Sequence, residues 1–247
     1  MIMGGSLGGL VCDSRQDKFR VFSWRSWIVA LSFYMLWFGV IFASMILISL
    51  FLLLIGVSAE IGIHLSISFS YLIVIPLTIL FMGIDKQLSN FSRKLKIKSA
   101  KEALILLLAI PILVTIVDCI VVIAYGIGYE AVFGVPEVNT DIGVDWDSGQ
   151  MALGLAITSI VIIGPLAEEL MFRGYLLDAI RKMHGDRVAV IITAFLFGLI
   201  HLEPYTIGMA AIGGLIYGYV RIRTGSLWPS IIGHMLWNGV ALVVTYL

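Results

Sequence analysis

The segment Glu168-Glu169-Leu170-Met171-Phe172-Arg173 places three charges inside an otherwise apolar stretch, residues 151–177. A charged side chain at the centre of a membrane costs about 2.5–3.5 kcal/mol on insertion scales, so such charges are usually paired, face a protein interior and mark function. We therefore expect the rest of the chain to form a scaffold around this segment and to supply partners for its charges.

The composition is that of an integral membrane protein. The 247 residues are 60% hydrophobic and only 13% charged, and the mean hydropathy is +1.04. An average soluble domain is about 25% charged. The net charge is zero, so nothing indicates a nucleic-acid partner, and two cysteines are too few for a cysteine metal cluster. The predicted fold is an all-α, polytopic helix bundle, expected in the plasma membrane.

The apolar runs and the charges between them predict about seven transmembrane helices with the N-terminus in the cytoplasm. Residues 85–101 are rich in lysine and arginine, which places this loop in the cytoplasm and near anionic headgroups. Residues 129–150 carry acidic side chains without lysine or arginine, so this loop is predicted to be external. The predicted spans are approximately 27–57, 67–84, 103–128, 151–180, 188–202, 205–220 and 227–247.

These features divide the chain into a cytoplasmic tail, residues 1–26, a group of N-terminal membrane spans, residues 27–150, and a core that carries the charged motif, residues 151–247. His64 and His184 are predicted to lie in exposed loops. Asp118 is an intramembrane acid and therefore a functional hint, but the sequence names no partner for it.

The helical spacing gives the two glutamates different roles. Residues four apart share a helix face, so Glu169 and Arg173 are predicted to form an ion pair. Glu168 points about 100° away from that pair and is free to face a cavity. A carboxylate in a poorly solvated pocket is suited to general acid or base catalysis.

Three other polar side chains are predicted to lie at the depth of Glu168. If the fourth and fifth spans form an antiparallel hairpin that turns near Gly185, Glu168 and His201 are almost equally far from the turn. In the last span, His234 and Asn238 are four residues apart and share a face. Three helices can thus bring these side chains to one layer.

Two mechanisms fit this layer, and the residues alone do not choose between them. Glu168 and His201 could polarise a water molecule while His234 and Asn238 donate hydrogen bonds to the developing oxyanion. Alternatively, Glu168, His201 and His234 could bind Zn²⁺, which lowers the pKa of its bound water.

Three motifs resemble those of the CPBP family, the CAAX-prenyl-protease and bacteriocin-processing intramembrane proteases. The motifs are Glu168-Glu169 followed by Arg173, the segment Phe197 to His201, and His234 followed by Asn238, in the family's order. The resemblance implies a membrane endopeptidase that is open toward the cytoplasm and cuts a membrane-associated, lipidated or leader peptide. It implies that Glu168 and His201 activate water, that His234 and Asn238 complete the site, and that Glu169 and Arg173 support it. The implied cofactor is none or Zn²⁺, and we favour the metal-independent scheme.

Two other functional classes compete with the peptidase. In one, the polar residues only clamp helices in a non-catalytic membrane scaffold or bacteriocin-immunity factor. In the other, the intramembrane acids relay protons in a transporter, although the broken helices or repeats of many transporters are not visible. The expected partners are a peptide or protein substrate and membrane lipids, and the oligomeric state is left open.

Overall fold

The computed structural model describes residues 24–85, 87–136 and 149–246. These residues are almost entirely helical and contain no strand, which confirms the predicted all-α fold. Residues 1–23 of the predicted tail and residues 137–148 of the predicted acidic loop lie outside the described residues.

The helices are numbered here in chain order. They are α1 (Trp24–Leu54), α2 (Ala59–Ile84), α3 (Leu88–Lys94), α4 (Ala100–Phe133), α5 (149–184), α6 (186–199), α7 (Pro204–Thr224) and α8 (Trp228–Tyr246). Short π-helical segments interrupt α4 at Ile105–Ala109 and α5 at Ile157–Ile163 and Leu170–Leu176.

Four stretches in the described residues are long and apolar enough to cross a membrane: Trp27–Leu54, Ala59–Ile84, Ala100–Phe133 and Gly149–Leu199. Large apolar side chains such as Leu54 and Phe133 are 85% and 73% exposed. An apolar surface of this extent requires a lipid or protein partner. The structure is therefore that of a polytopic membrane bundle.

Helix α2 is longer than the span, residues 67–84, that the hydrophobic run predicted. It begins at Ala59, so His64 lies inside the helix rather than in a loop. His64 is fully buried, and its Nδ1 lies 3.1 Å from the Ser159 hydroxyl. The prediction of an exposed His64 was therefore wrong. A histidine can be buried where a polar group on another helix is its hydrogen-bond partner, as the Ser159 hydroxyl is here.

The chain reverses direction at Gly185, as the hairpin hypothesis required. Gly185 has φ 77° and ψ 178°, a backbone conformation that glycine adopts without strain from a Cβ. This residue separates α5 from α6 within one apolar stretch, so the charged motif lies on α5 and His201 lies just beyond the end of the returning helix α6.

Helices α6 and α7 pack in close backbone contact. A Cβ built on Gly198 would lie 2.6 Å from the Ile207 carbonyl oxygen, and one on Gly214 would lie 2.8 Å from Ala194 Cα. These contacts agree with the small-residue stripe of α7, in which Ala210, Gly214 and Gly218 recur every four residues. The close packing fixes the loop that carries His201.

Glu203 caps the start of α7. Its carboxylate accepts hydrogen bonds from the backbone N–H groups of Tyr205 and Thr206, at 3.1 and 2.9 Å. Desolvation acts to raise the pKa of Glu203, but these hydrogen bonds outweigh it and hold the pKa below the ordinary value of 4.5. Glu203 thus satisfies N–H groups that a helix start leaves without partners.

Aromatic side chains of α1 and α2 enclose the charged helix. Phe33 stacks on Phe81 with ring centroids 3.9 Å apart and meets the edge of Tyr175 at 4.9 Å. Trp37 packs edge to face against Phe172, with centroids 6.0 Å apart. All five rings belong to one apolar core. The N-terminal helices therefore keep the buried charges of α5 away from lipid.

A second buried polar cluster ties α3 to α5 and α7. Lys94 is only 5% exposed, forms an ion pair with Asp178 and donates to the Gly174 carbonyl at 2.8 Å. Arg221 lies 3.5 Å from the same aspartate. Burial lowers the pKa of the Lys94 amine, with Asp178 opposing the shift. Lys94 is therefore a structural anchor, unlike the surface lysine that the basic loop suggested.

Candidate active site

The predicted ion pair of α5 is present and completely buried. Arg173 Nη1 donates to Glu169 Oε1 at 2.7 Å, and both side chains are 0% exposed. Arg173 Nη2 also donates to the Gly214 carbonyl on α7 at 3.2 Å. The pair therefore joins α5 to α7 as well as neutralising Glu169.

Aromatic rings complete the surroundings of the guanidinium. Arg173 Cζ lies 4.5 Å from the centre of the Phe197 ring and 5.6 Å from that of Tyr217. A cation over an aromatic face is attracted by the ring quadrupole, more strongly where water is excluded. Phe197 is 2% exposed and packs against the guanidinium.

His234 links the two glutamates. Its Nδ1 lies 3.2 Å from Glu169 Oε1 and its Nε2 lies 3.8 Å from Glu168 Oε2. A carboxylate can only accept, so the shorter contact places the Nδ1 hydrogen toward Glu169 and leaves Nε2 facing Glu168. The ring also stacks on Tyr217 with centroids 5.4 Å apart and planes 19° apart.

Glu168 has a partner that the sequence did not indicate. The Tyr71 hydroxyl of α2 donates to Glu168 Oε1 at 2.5 Å, and Glu168 is only 7% exposed. A short hydrogen bond to a carboxylate is among the stronger kinds in proteins. The hydrogen bond from Tyr71 fixes Oε1 of Glu168, and Oε2 points toward His234.

Glu168 and His201, predicted to face each other across a cavity, form no direct hydrogen bond or ion pair in the described part of the chain. His201 follows the end of α6 at Leu199, and its Nδ1 lies 3.0 Å from the Phe197 carbonyl of the preceding turn. The side chain is exposed at this end of the helix. His234, whose Nε2 lies 3.8 Å from Glu168 Oε2, occupies the place beside Glu168 instead.

His201, His234 and Asn238 nevertheless line one cavity of about 360 Å³. Asn238 donates one N–H to the Ile160 carbonyl at 2.9 Å, which orients its amide on the cavity wall. The wall is otherwise largely apolar and includes Met209 and Trp237. Three of the four predicted catalytic residues thus share one chamber, with Glu168 next to it through His234.

The cavity also explains the environment of Asp118. Tyr217 donates its hydroxyl to Asp118 Oδ2 at 2.7 Å, and Asp118 is 1% exposed. The same tyrosine stacks on His234, so Asp118 is connected to the site through one ring. The other oxygen, Oδ1, has no hydrogen-bond partner within the described residues.

The side chains proposed as zinc ligands do not converge. No group of three histidine, cysteine, aspartate or glutamate side chains in residues 24–85, 87–136 and 149–246 is arranged to hold a metal ion. Glu168 is engaged by Tyr71, His234 Nδ1 faces Glu169, and His201 is held by its own helix. The arrangement does not fit a three-ligand zinc site, and no step below passes through a metal.

Sequence reasoning missed Tyr71 and Tyr217. Tyr71 lies in an apolar run without a motif, and it is 97 residues away from the glutamate that it contacts. Tyr217 could have been considered, because a buried acid such as Asp118 requires a donor and a tyrosine hydroxyl in a neighbouring span can supply one.

Comparisons with known proteins agree with the motifs. Residues 150–240 match the family described as type II CAAX prenyl endopeptidase Rce1-like. Over 93 residues the chain is 25% identical to a Bacillus subtilis (strain 168) protein named "Putative membrane peptidase YdiL", and the match covers 38% of each chain. No solved structure matches. All the motif positions fall within the matched residues, so both comparisons agree with the resemblance to the CPBP family.

Proposed function

We propose that this protein is an intramembrane endopeptidase that hydrolyses a peptide bond with a water molecule activated by Glu168. The observation that carries the proposal is the buried chain of contacts from Tyr71 through Glu168 and His234 to Glu169, beside a cavity of about 360 Å³. Buried carboxylates and histidines that contact one another beside a concave site are candidates for catalytic groups.

The geometry supports a specific role for each oxygen of Glu168. Oε1 is occupied by the Tyr71 hydroxyl, so Oε2 is the atom that accepts a proton from water. Oε2 and His234 Nε2 are 3.8 Å apart, which lets one water molecule donate a hydrogen to each. A water held in this way directs a lone pair away from both groups and toward a substrate carbonyl.

The reaction then needs no further reagent. The water oxygen bonds to the carbonyl carbon while its proton passes to Glu168, and the carbonyl oxygen becomes an oxyanion. Glu168 returns the proton to the leaving nitrogen while the oxyanion re-forms the C=O bond and the C–N bond breaks, which gives a carboxylic acid and an amine. Asn238 retains a second N–H for the oxyanion, because its other N–H is bound to Ile160.

His234 takes the place beside Glu168 that the sequence suggested for His201. Glu169 and Arg173 fix the His234 ring, because Glu169 accepts from both. His201 lies on the exposed part of the cavity wall, so we assign it to contact with the bound peptide and with its carbonyl group. The largely apolar wall is suited to an apolar peptide segment of a membrane-associated, lipidated or leader substrate.

The test is to compare membranes from cells that express the wild type, Glu168→Gln or Arg187→Gln at matched levels. Arg187 is exposed and outside the site, so its variant is the control. The proposal expects new peptide termini with the wild type and Arg187→Gln but not with Glu168→Gln. Identical termini with Glu168→Gln and wild type would refute it and would favour a scaffold or immunity factor.

A chelator separates the two chemical schemes. In the metal-independent scheme, cleavage by the purified protein is unchanged after dialysis against EDTA and is not increased by added Zn²⁺. Loss of cleavage with EDTA and its recovery with Zn²⁺ would contradict that scheme.

A further inference from the structure

A second cavity, of about 460 Å³, lies where the start of α4 meets the end of α7. None of its lining residues belongs to the candidate active site. Its polar part carries three cations, Lys98, Lys101 and Arg223, against the single carboxylate of Glu102. All three cationic side chains are exposed. The cavity is therefore a preformed, net positive pocket.

The carboxylate of Glu102 already accepts a hydrogen bond from the backbone at the start of α4. Glu102 Oε2 accepts the backbone N–H of Lys98 at 2.6 Å, and the Ser99 hydroxyl accepts the backbone N–H of Glu102 at 3.1 Å. This arrangement resembles a capping box, except that the carboxylate binds the N–H of Lys98, the residue before the N-cap Ser99. In the described part of the chain, Lys98 and Lys101 form no ion pair, so their charges remain available to an anion.

The apolar part of the pocket follows the cations along α4. Ile105, Leu106 and Ile110 line it, and Ile110 lies about 13 Å beyond Lys101 at about 1.5 Å per residue. A free phosphate would need only the cationic end. A phospholipid has both parts in the same order, with an anionic headgroup followed by apolar chains.

We propose that this pocket, the α4–α7 pocket, binds an anionic phospholipid with its phosphate at Lys98, Lys101 and Arg223 and its acyl chain against Ile105 and Ile110. Charge complementarity and the order of polar and apolar residues along α4 carry the assignment. The positive-inside rule places these cations on the cytoplasmic side, where anionic lipids attract basic segments. The proposal does not depend on peptidase activity.

The experiment titrates the purified full chain in dodecyl maltoside with dioleoyl phosphatidylglycerol or dioleoyl phosphatidylcholine. Native mass spectrometry counts the bound lipid, and the thermal unfolding midpoint reports its effect. Phosphatidylglycerol is expected to bind more tightly than phosphatidylcholine. Each of Lys98→Gln, Lys101→Gln and Arg223→Gln should weaken its binding about fivefold.

Two controls make the result specific. Lys182→Gln also removes an exposed cation, but outside the pocket, and should leave the binding of phosphatidylglycerol unchanged. Inorganic phosphate tests whether the cations alone suffice. Equal binding of the two lipids, equal losses in Lys182→Gln and Lys98→Gln, or saturation of the site by millimolar phosphate alone would each overturn the proposal.

Discussion

The substitution Glu169→Ala tests the structural part of the account most severely. Arg173 and Glu169 are both 0% exposed, and Glu169 Oε1 accepts from Arg173 and from His234. Removing one member of a buried ion pair costs about 3–5 kcal/mol, because the other charge is left without a partner. For a chain of this size, 1 kcal/mol shifts the unfolding midpoint by about 2–4 °C, so a loss of about 6–20 °C is expected.

The assay is thermal unfolding in detergent, followed by the fraction of monodisperse protein after size-exclusion chromatography. Glu168→Ala is the matched control, because it removes a neighbouring carboxylate whose partner is a neutral hydroxyl. It leaves no charge stranded and should lose clearly less stability than Glu169→Ala. The double variant Glu169→Ala with Arg173→Met should recover part of the loss, because no charge is then stranded.

A midpoint for Glu169→Ala within about 2 °C of the wild type would refute this reasoning, since that shift corresponds to about 1 kcal/mol or less. The same conclusion would follow if the double variant were less stable than Glu169→Ala. Either result would mean that Arg173 finds another acceptor or that the pair adds little to the packing of α5 against α7.

Three further predictions concern the site, the packing and the pH dependence of stability. Tyr71→Phe removes the donor to Glu168 and should lower peptide cleavage about tenfold to hundredfold with little change in the unfolding midpoint; an unchanged rate would show that this hydrogen bond is not used. Gly214→Ala places a Cβ 2.8 Å from a backbone Cα of α6 and should destabilise the protein by about 1–3 kcal/mol. The control is Gly154→Ala, whose Cβ meets open space, so its unfolding midpoint should not change. Equal midpoints for the two variants would contradict the close packing of α6 and α7. Glu203→Gln should lower the thermal unfolding midpoint above pH 4.5, where the wild-type carboxylate is ionised. The difference between the variant and the wild type should vanish as the pH falls through the folded-state pKa of Glu203, which is below the ordinary value. A constant difference from pH 7 to pH 3 would rule out a role for the ionised carboxylate.

The features that the sequence predicted correctly depend on local geometry. The ion pair of Glu169 and Arg173 follows from a spacing of four residues on one helix, and the turn at Gly185 follows from a residue that accepts positive φ. The small residues at every fourth position of α7 are a further local signal, because they let α6 approach closely. Each of these signals is contained within one or two neighbouring helices.

The features that it missed depend on which helices pack together. Tyr71 reaches Glu168 across 97 residues, and no periodicity within α2 encodes that pairing. The positive-inside rule counts Lys94 as a cytoplasmic charge, but it carries no information on the depth of that side chain or on its ion pair with Asp178. His201 was placed by counting residues from the turn at Gly185, and such a count gives the depth of a residue but not the direction in which its side chain points.

The central claim is that Glu168 directs a water molecule onto a peptide bond. The most direct test incubates the purified protein, reconstituted in liposomes with a membrane-protein extract, in water enriched in ¹⁸O, and then measures the label in new peptide carboxyl termini. We predict labelled termini with the wild type and none with Glu168→Gln. Labelled termini that appear equally with Glu168→Gln, or none with the wild type, would contradict the claim.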